Sequence, residues 1–301
     1  MANFLQNLTN ALSLGSLYAL IAIGYTMVYG ILRLINFAHG DIFMMSVYFA
    51  FYGIIMFLIP WPITFILAIV LTAALGITIE KAAYSPLRDA PKISIMISAI
   101  GVSFFLENLA VVLFGGITKA FPSIDLFTQV MKIGPVSLQR VNLIIPILTI
   151  LFLVILLFII NHTKSGMAMR ALSKDHEAAR LMGVNVNNII SITFAIGSTL
   201  AAIGGIMWGL KYTTVQPYMG MMPGLKCFIA AVVGGIGNIK GAVIGALILG
   251  VGEIMIIALP NMLGLSVDIT GYRDAFAFIV LIIILLFRPT GIMGEKIANK
   301  V

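Results

Sequence analysis

A polytopic bundle of membrane-spanning α-helices is the fold class that this sequence predicts, all-α and with about eight or nine crossings. Hydrophobic residues occupy 61% of the 301 positions, while charged residues occupy 10%, against roughly 25% in an ordinary globular domain. Mean hydropathy is +1.12. The apolar residues also fall in long uncharged runs of spanning length. These three observations exclude a soluble globular domain, a disordered chain and a disulfide scaffold. About nine spans of roughly 20 residues would use roughly 180 positions, so a single transmembrane domain over 1–301 is expected. The one cysteine, Cys227, cannot form an internal disulfide and reads as a small buried apolar residue. In a soluble protein the net charge of +7 would point to nucleic acid; here it reports loop bias, so the lipid bilayer and no nucleic acid is the expected surrounding.

The runs follow in order. Residues 10–32 come first, with Gly15, Gly24 and Gly30 inside; the preceding stretch, Met1 to Asn10, has no Lys or Arg. It lacks the basic region of a cleaved signal peptide, so the first run is expected to stay as a span. Residues 42–59 and 62–79 are divided by Pro60-Trp61-Pro62, a break that reads as an interfacial turn with Trp61 at headgroup level. A polar stretch from Glu80 to Lys92 leads to the run 93–113, and a longer polar loop over 115–140 contains Pro122 and Pro135. Residues 141–161 are almost purely aliphatic; the polar block 162–186 and the run 187–209 follow. The mixed stretch 210–225 holds Pro217, Gly220, Pro223 and Gly224, before the runs 226–239, 241–260 and 274–288. The run 226–239 would span only about 21 Å as a helix, under the ~30 Å hydrocarbon core, and reads as re-entrant or as half of a broken helix.

Placing the C-terminus inside and alternating backwards puts twelve Lys and Arg in inner loops and six in outer ones. Lys226 and Arg273 count among the six. This bias favours a cytoplasmic C-terminus and, with nine crossings, an outer N-terminus. Two small-residue stripes stand out: Gly197, Ala201 and Gly205, and Gly237, Gly241 and Gly245. Such stripes let helix backbones approach, within this chain or against another subunit. A faint echo joins Gly15-Ser16-Leu17-Tyr18-Ala19 to Gly197-Ser198-Thr199-Leu200-Ala201.

Several chemistries are missing. No Gly-Lys dipeptide occurs, so the chain has no phosphate loop. No nucleophile elbow and no H-E-x-x-H occurs, and His39, His162 and His176 lack metal-ligand spacing. No catalytic residue, metal or cofactor is expected, and an integral membrane enzyme is disfavoured.

The most informative loop runs from Ala171 to Asn185 and predicts a short helix over 173–183. Ser173 is the expected cap, Asp175 and Glu177 sit early, Arg180 lies late, and Gly183 suits a left-handed stop. Leu172, Ala178, Ala179 and Met182 form a small apolar face. The helix either lies on headgroups or inserts into a partner's groove.

Glu177-Ala178-Ala179-x-x-x-Gly183 resembles the E-A-A-x-x-x-G signature of ABC importer permeases, without the usual I-x-L-P continuation. Leu14 to Tyr25, Ile35-Asn36-Phe37-Ala38-His39-Gly40-Asp41, Val233-Gly234-Gly235-Ile236-Gly237-Asn238 and the tail Arg288-Pro289-Thr290-Gly291 resemble branched-chain amino-acid permeases of the LivH type. The resemblance covers essentially the whole chain. It implies a homologous second permease subunit, two ABC ATPase subunits and an extracytoplasmic amino-acid-binding protein, with Glu177, Ala178, Ala179, Arg180 and Gly183 coupling to the ATPase. The expected activity is translocation of branched-chain amino acids by alternating access. The competing reading is a self-sufficient secondary carrier or channel.

Two groups of residues are pathway candidates. Asn36, Phe37, His39 and Asp41 lie in a short polar break between spans, where unpaired backbone is tolerated only against protein or a water-filled path. The alternative is an ordinary turn with Asp41 as the next helix's N-cap. Glu107 and Glu253 fall inside apolar spans, where a carboxylate is costly and is expected to face the bundle interior, a partner or water.

Overall fold

The computed structural model describes residues 2–88, 90–134, 136–262 and 270–294. Helix α1 (Ala2–Leu32) is followed by α2 (His39–Ile55) and α3 (Trp61–Ile79). A π turn over Glu80–Tyr84 and a 3-10 turn over Ser85–Leu87 lead to α4 (Lys92–Phe114). Strand β1 (Lys119–Ala120), helix α5 (Asp125–Thr128) and strands β2 (Val130–Ile133) and β3 (Val136–Gln139) precede α6 (Arg140–His162). Helices α7 (Lys164–Lys174), α8 (His176–Leu181) and α9 (Val186–Tyr212) follow. Strand β4 (Thr214–Val215), α10 (Met221–Gly234), α11 (Ile239–Met262), a 3-10 turn over Thr270–Tyr272 and α12 (Arg273–Phe287) complete the order.

Among the described residues six helices are long and apolar enough to cross a membrane, and they lie on α1, α3, α4, α6, α9 and α11. The other three apolar runs form α2, α10 and α12, of 17, 14 and 15 residues. At 1.5 Å per residue these reach about 21–26 Å, short of the ~30 Å core. The expected count of about eight or nine transmembrane helices, some of them broken or re-entrant, is therefore loose: all nine apolar runs are helical, and three of these helices are shorter than the core is thick.

The core is built around α1. Leu14, Leu17, Leu20, Ile21 and Ile23 are completely buried, as are Ala201 and Ala202 on α9. The faces of α3, α4, α6 and α12 instead present Ile66, Val70, Phe104, Val112, Ile150, Phe158, Ile282 and Leu286 outwards. Lipid is as apolar as these side chains, so inner helices associate through close packing rather than water exclusion. A Cβ on Gly197 would press on the Gly24 carbonyl, and one on Gly205 would collide with Ser46 and the Phe43 carbonyl. The first small-residue stripe thus packs within this chain. Gly241 and Gly245 lie equally close to Gly234 and Ala230. Gly237 does not continue that stripe: it has φ +90° and precedes α11.

The two ends of the bundle differ. At one end, β1 pairs with β4 and β2 with β3, both antiparallel, within what reads from the sequence as the polar loop 115–140 and the mixed stretch 210–225. The Ser137 amide donates to Gln6 Oε1 at 3.0 Å and ties the start of α1 to this strand end. The opposite end carries α7 and α8, with Arg33 donating to the Ser173 carbonyl and Arg88 to Asn187 Oδ1. Lys226 is not a loop residue but is buried within α10, and Lys296 and Lys300 lie outside the described residues, as does Pro135.

Candidate functional site

Two breaks in the helices meet inside the bundle. After α1 the chain turns at Arg33, whose φ is +53°, and climbs back before α2 starts. His39 Nε2 lies 3.2 Å from the Ile21 carbonyl and therefore donates to it. Ile21 is eleven residues from the end of α1, so the His39 ring at the start of α2 reaches back to a level about 16 Å along α1 from its end. From the strand end, the chain after β4 reaches Gly220 and starts α10 against the same place. A Cβ on Gly220 would collide with the Gly40 carbonyl, and one on Gly224 would press on Gly40 Cα. Only glycines allow these two backbones to cross.

The polar groups of the first break are satisfied only in part by neighbours. Asn36 Oδ1 accepts from the Tyr84 hydroxyl at 2.8 Å. Asp41 accepts from the Ser103 hydroxyl on α4. Asn36 Nδ2 and Asp41 Oδ1 are buried without a hydrogen-bond partner. The N-cap of α2 is Ala38, so Asp41 is not a cap: it lies inside the first turn and points to α4. Phe37 is half-buried against the core. Glu107, one turn beyond Ser103, is buried, whereas its neighbour Asn108 is exposed and donates to the Phe104 carbonyl at 2.7 Å.

Glu253 belongs to a different cluster. It is completely buried on α11 and accepts from the Tyr18 hydroxyl at 3.1 Å and from Arg273 Nε at 2.7 Å. Lys226 Nζ stands 3.0 Å from Glu253 Oε1, a charge contact without hydrogen-bond alignment, and 2.6 Å from Asp274 Oδ1. Sequence reasoning reaches Glu253 but not Tyr18, Lys226, Arg273 or Asp274, and it treats Lys226 and Arg273 as loop cations. A signal was available: a carboxylate inside an apolar span needs a cation, and Lys226 lies within a short apolar run of its own. Glu107 and Glu253 are both buried but lie on different helices, α4 and α11.

The loop between α6 and α9 is two helices rather than one over 173–183. Thr163 caps α7 by accepting from the Gly166 amide. The Ser173 hydroxyl donates to the Arg170 carbonyl and stays within α7. Asp175 caps α8 instead, accepting from the amides of Glu177 and Ala178 at 2.9 and 3.1 Å. Gly183 has φ +83° and ends the element. The apolar face is split. Leu172 and Ala179 are buried against the chain, while Leu181 and Met182 are 87% and 85% exposed beside exposed Glu177, Ala178 and Arg180. His176 Nε2 donates to the Ile31 carbonyl at 2.9 Å and anchors α8 to the end of α1. The start of α9 is anchored as well, because Ser191 donates to Glu80 Oε2 at 2.6 Å and Arg88 bridges Glu80 and Asn187.

A family model described as branched-chain amino acid transport system, permease component, matches residues 7–285. The high-affinity branched-chain amino acid transport system permease protein BraD of Pseudomonas aeruginosa is 40% identical over 312 residues, covering 99% of this chain and 98% of that protein. The permease protein LivH of the corresponding system of Escherichia coli K12 is 40% identical over 311 residues, with the same coverage. A solved structure of PsaBC from Streptococcus pneumoniae in complex with Fab aligns over 96% of this chain and 93% of that one, at 14% identity and a TM-score of 0.49. With a family model over most of its length and full-length relatives at 40% identity, this chain belongs to the permease components of branched-chain amino acid transport systems.

Proposed function

We propose that the chain is the permease subunit of an ABC importer that carries branched-chain amino acids. Separate ATPase subunits energise it, an extracytoplasmic binding protein feeds it, and it pairs with a second, homologous permease. The observation that carries the reading is the 40% identity over nearly the whole length to proteins named for that transport. The α7–α8 end faces the cytoplasm in this reading and the strand end faces outwards. The free Leu181–Met182 tip with Arg180 beside it is the contact offered to the ATPase. Its movement would reach α1 through His176 and Arg33, and α3 through Glu80 and Arg88. The substrate would pass near the crossing of Gly40 with Gly220 and Gly224, beside Asn36, His39, Asp41 and Glu107.

Co-expression with the ATPase subunits and the binding protein tests this. Vesicles holding the whole importer should take up labelled leucine only with ATP inside the ATPase compartment, and vesicles holding this chain alone should take up none under an ion gradient. Gradient-driven uptake by the lone chain would establish the secondary carrier instead. Leu181→Asp should abolish co-purification of the ATPase while leaving the permease inserted, since the side chain is almost fully solvated. Ala179→Trp is a poor probe of docking because Ala179 is buried against its own chain.

A further inference from the structure

An apolar bundle has no structural need for four charges at Lys226, Glu253, Arg273 and Asp274. Replacing a buried ion pair by aliphatic side chains is often neutral or stabilising, and ionisable groups inside transmembrane segments mark substrate or ion paths. Three features of this cluster point to a ligand.

Its exposure is graded. The side chain of Glu253 is 0% exposed, that of Lys226 8%, that of Arg273 28% and that of Asp274 47%. The charges thus form a stair from the surface of the bundle to its interior. These four charges are also balanced, with two carboxylates against one ammonium and one guanidinium, while the next cation, Lys211, donates to the Ser13 hydroxyl at 2.7 Å. Finally, an aromatic wall adjoins it. Tyr18, which donates to Glu253, has its ring centroid 6.4 Å from Trp208, and Trp208 stands 4.5 Å from Tyr212 and 5.8 Å from Phe43. Lys226 Nζ lies 5.9 Å from the centre of the Tyr18 ring.

We propose that this cluster is a transit site for a zwitterionic amino acid, which enters by exchanging with the Lys226–Asp274 ion pair. The proposal rests on the reading of the chain as an amino-acid permease. The ligand's ammonium takes the place of Lys226 beside Asp274 and then Glu253, and its carboxylate takes Lys226 and Arg273. A zwitterion brings no net charge, so each exchange leaves no buried charge uncompensated. The aliphatic side chain lies along Tyr18, Trp208 and Tyr212, the apolar surface next to the charges. In the arrangement seen here the site is closed upon itself, with each charge held by another of the cluster. Tyr18 is fourteen residues from the end of α1, about 21 Å along the helix, which sets the site near mid-bundle.

The test uses the complete importer, with its ATPases and binding protein, in vesicles with labelled leucine. Asp274→Asn removes the most exposed charge. The double variant Lys226→Met with Asp274→Asn removes one charge of each sign and leaves Glu253 paired with Arg273 and Tyr18. The readout is leucine taken up per ATP hydrolysed by the assembled importer. The proposal expects this ratio to fall about tenfold or more in both variants, as loss of one charge-assisted contact in transit implies. A ratio close to that of the wild type in either assembled variant overturns the transit site and leaves a scaffold. If the double variant does not assemble, Asp274→Asn alone decides, because its side chain is half-exposed. A wild-type importer that takes up no leucine would instead overturn the substrate reading on which the site rests.

Discussion

Two of the polar clusters inside the bundle are balanced in different ways. Around Glu253, charges are held by opposite charges: Lys226, Arg273 and Asp274 close a neutral set with the Tyr18 hydroxyl. Around Asp41 and Asn36 the partners are hydroxyls, with Ser103 donating to one and Tyr84 to the other, and two polar atoms left without a hydrogen bond. The difference decides how each should respond to substitution. Neutralising one member of a charge-balanced set strands its partners. Neutralising a group held only by a hydroxyl strands at most one hydrogen bond.

The largest effect is therefore expected for Glu253→Gln. Arg273 loses its carboxylate partner and Lys226 keeps only Asp274. Removing one partner from a buried pair costs about 3–5 kcal/mol. The apparent melting temperature and the yield of purified permease should both fall sharply. Adding Arg273→Met to the same chain removes the excess cation and should restore most of the loss. A double variant as unstable as Glu253→Gln alone would show that the cluster is not governed by charge balance.

The same contrast explains what could be read in the sequence. The apolar runs mark helices because run length and composition are properties of the chain itself. Depth is not. Nothing in the run of α2 shows that its first side chain reaches Ile21 and not the end of α1, because the re-entry depends on Gly40 crossing Gly220 and Gly224 from a segment about 180 residues away in sequence. Asp41 reads as a cap for the same reason: its real partner, Ser103, belongs to another helix. Lys226 reads as a loop cation because Pro223 and Gly224 look like a helix boundary, yet both are buried within α10. In the α6–α9 connection two residues compete to cap. Asp175 prevails because its carboxylate reaches two amides, and Ser173 remains in α7 by donating backwards. The glycine stop at 183 is legible because a left-handed residue is a local requirement.

A middle-sized effect is expected for Tyr84→Phe. Tyr84 is 2% exposed, sits in the π turn after α3, and its hydroxyl is the donor to Asn36 Oδ1. Without it both polar atoms of the buried Asn36 side chain lack their protein partners, a cost of about 1–3 kcal/mol. Thermal unfolding of the purified permease measures it. A loss as large as that of Glu253→Gln would mean that the hydroxyl-held cluster is as brittle as the charged one.

The smallest effect on stability is expected for Asp41→Asn. The substitution is isosteric, and the amide oxygen can still accept from Ser103. The atom that becomes an amide nitrogen replaces a carboxylate oxygen that already lacks a hydrogen bond. The net change is one weakened hydrogen bond, about 0.5–1.5 kcal/mol, against the buried-charge loss at Glu253. The melting temperature should shift by no more than a few degrees, roughly 2–4 °C per kcal/mol for a chain of this order of size. Uptake should respond differently, because Asp41 lies where the break of α2 meets α10 and removing its carboxylate changes the chemistry offered to a passing ammonium. Leucine uptake by the assembled importer should fall while the fold holds. A fully stable Asp41→Asn importer with undiminished uptake would remove Asp41 from the pathway and leave it as a tether between α2 and α4.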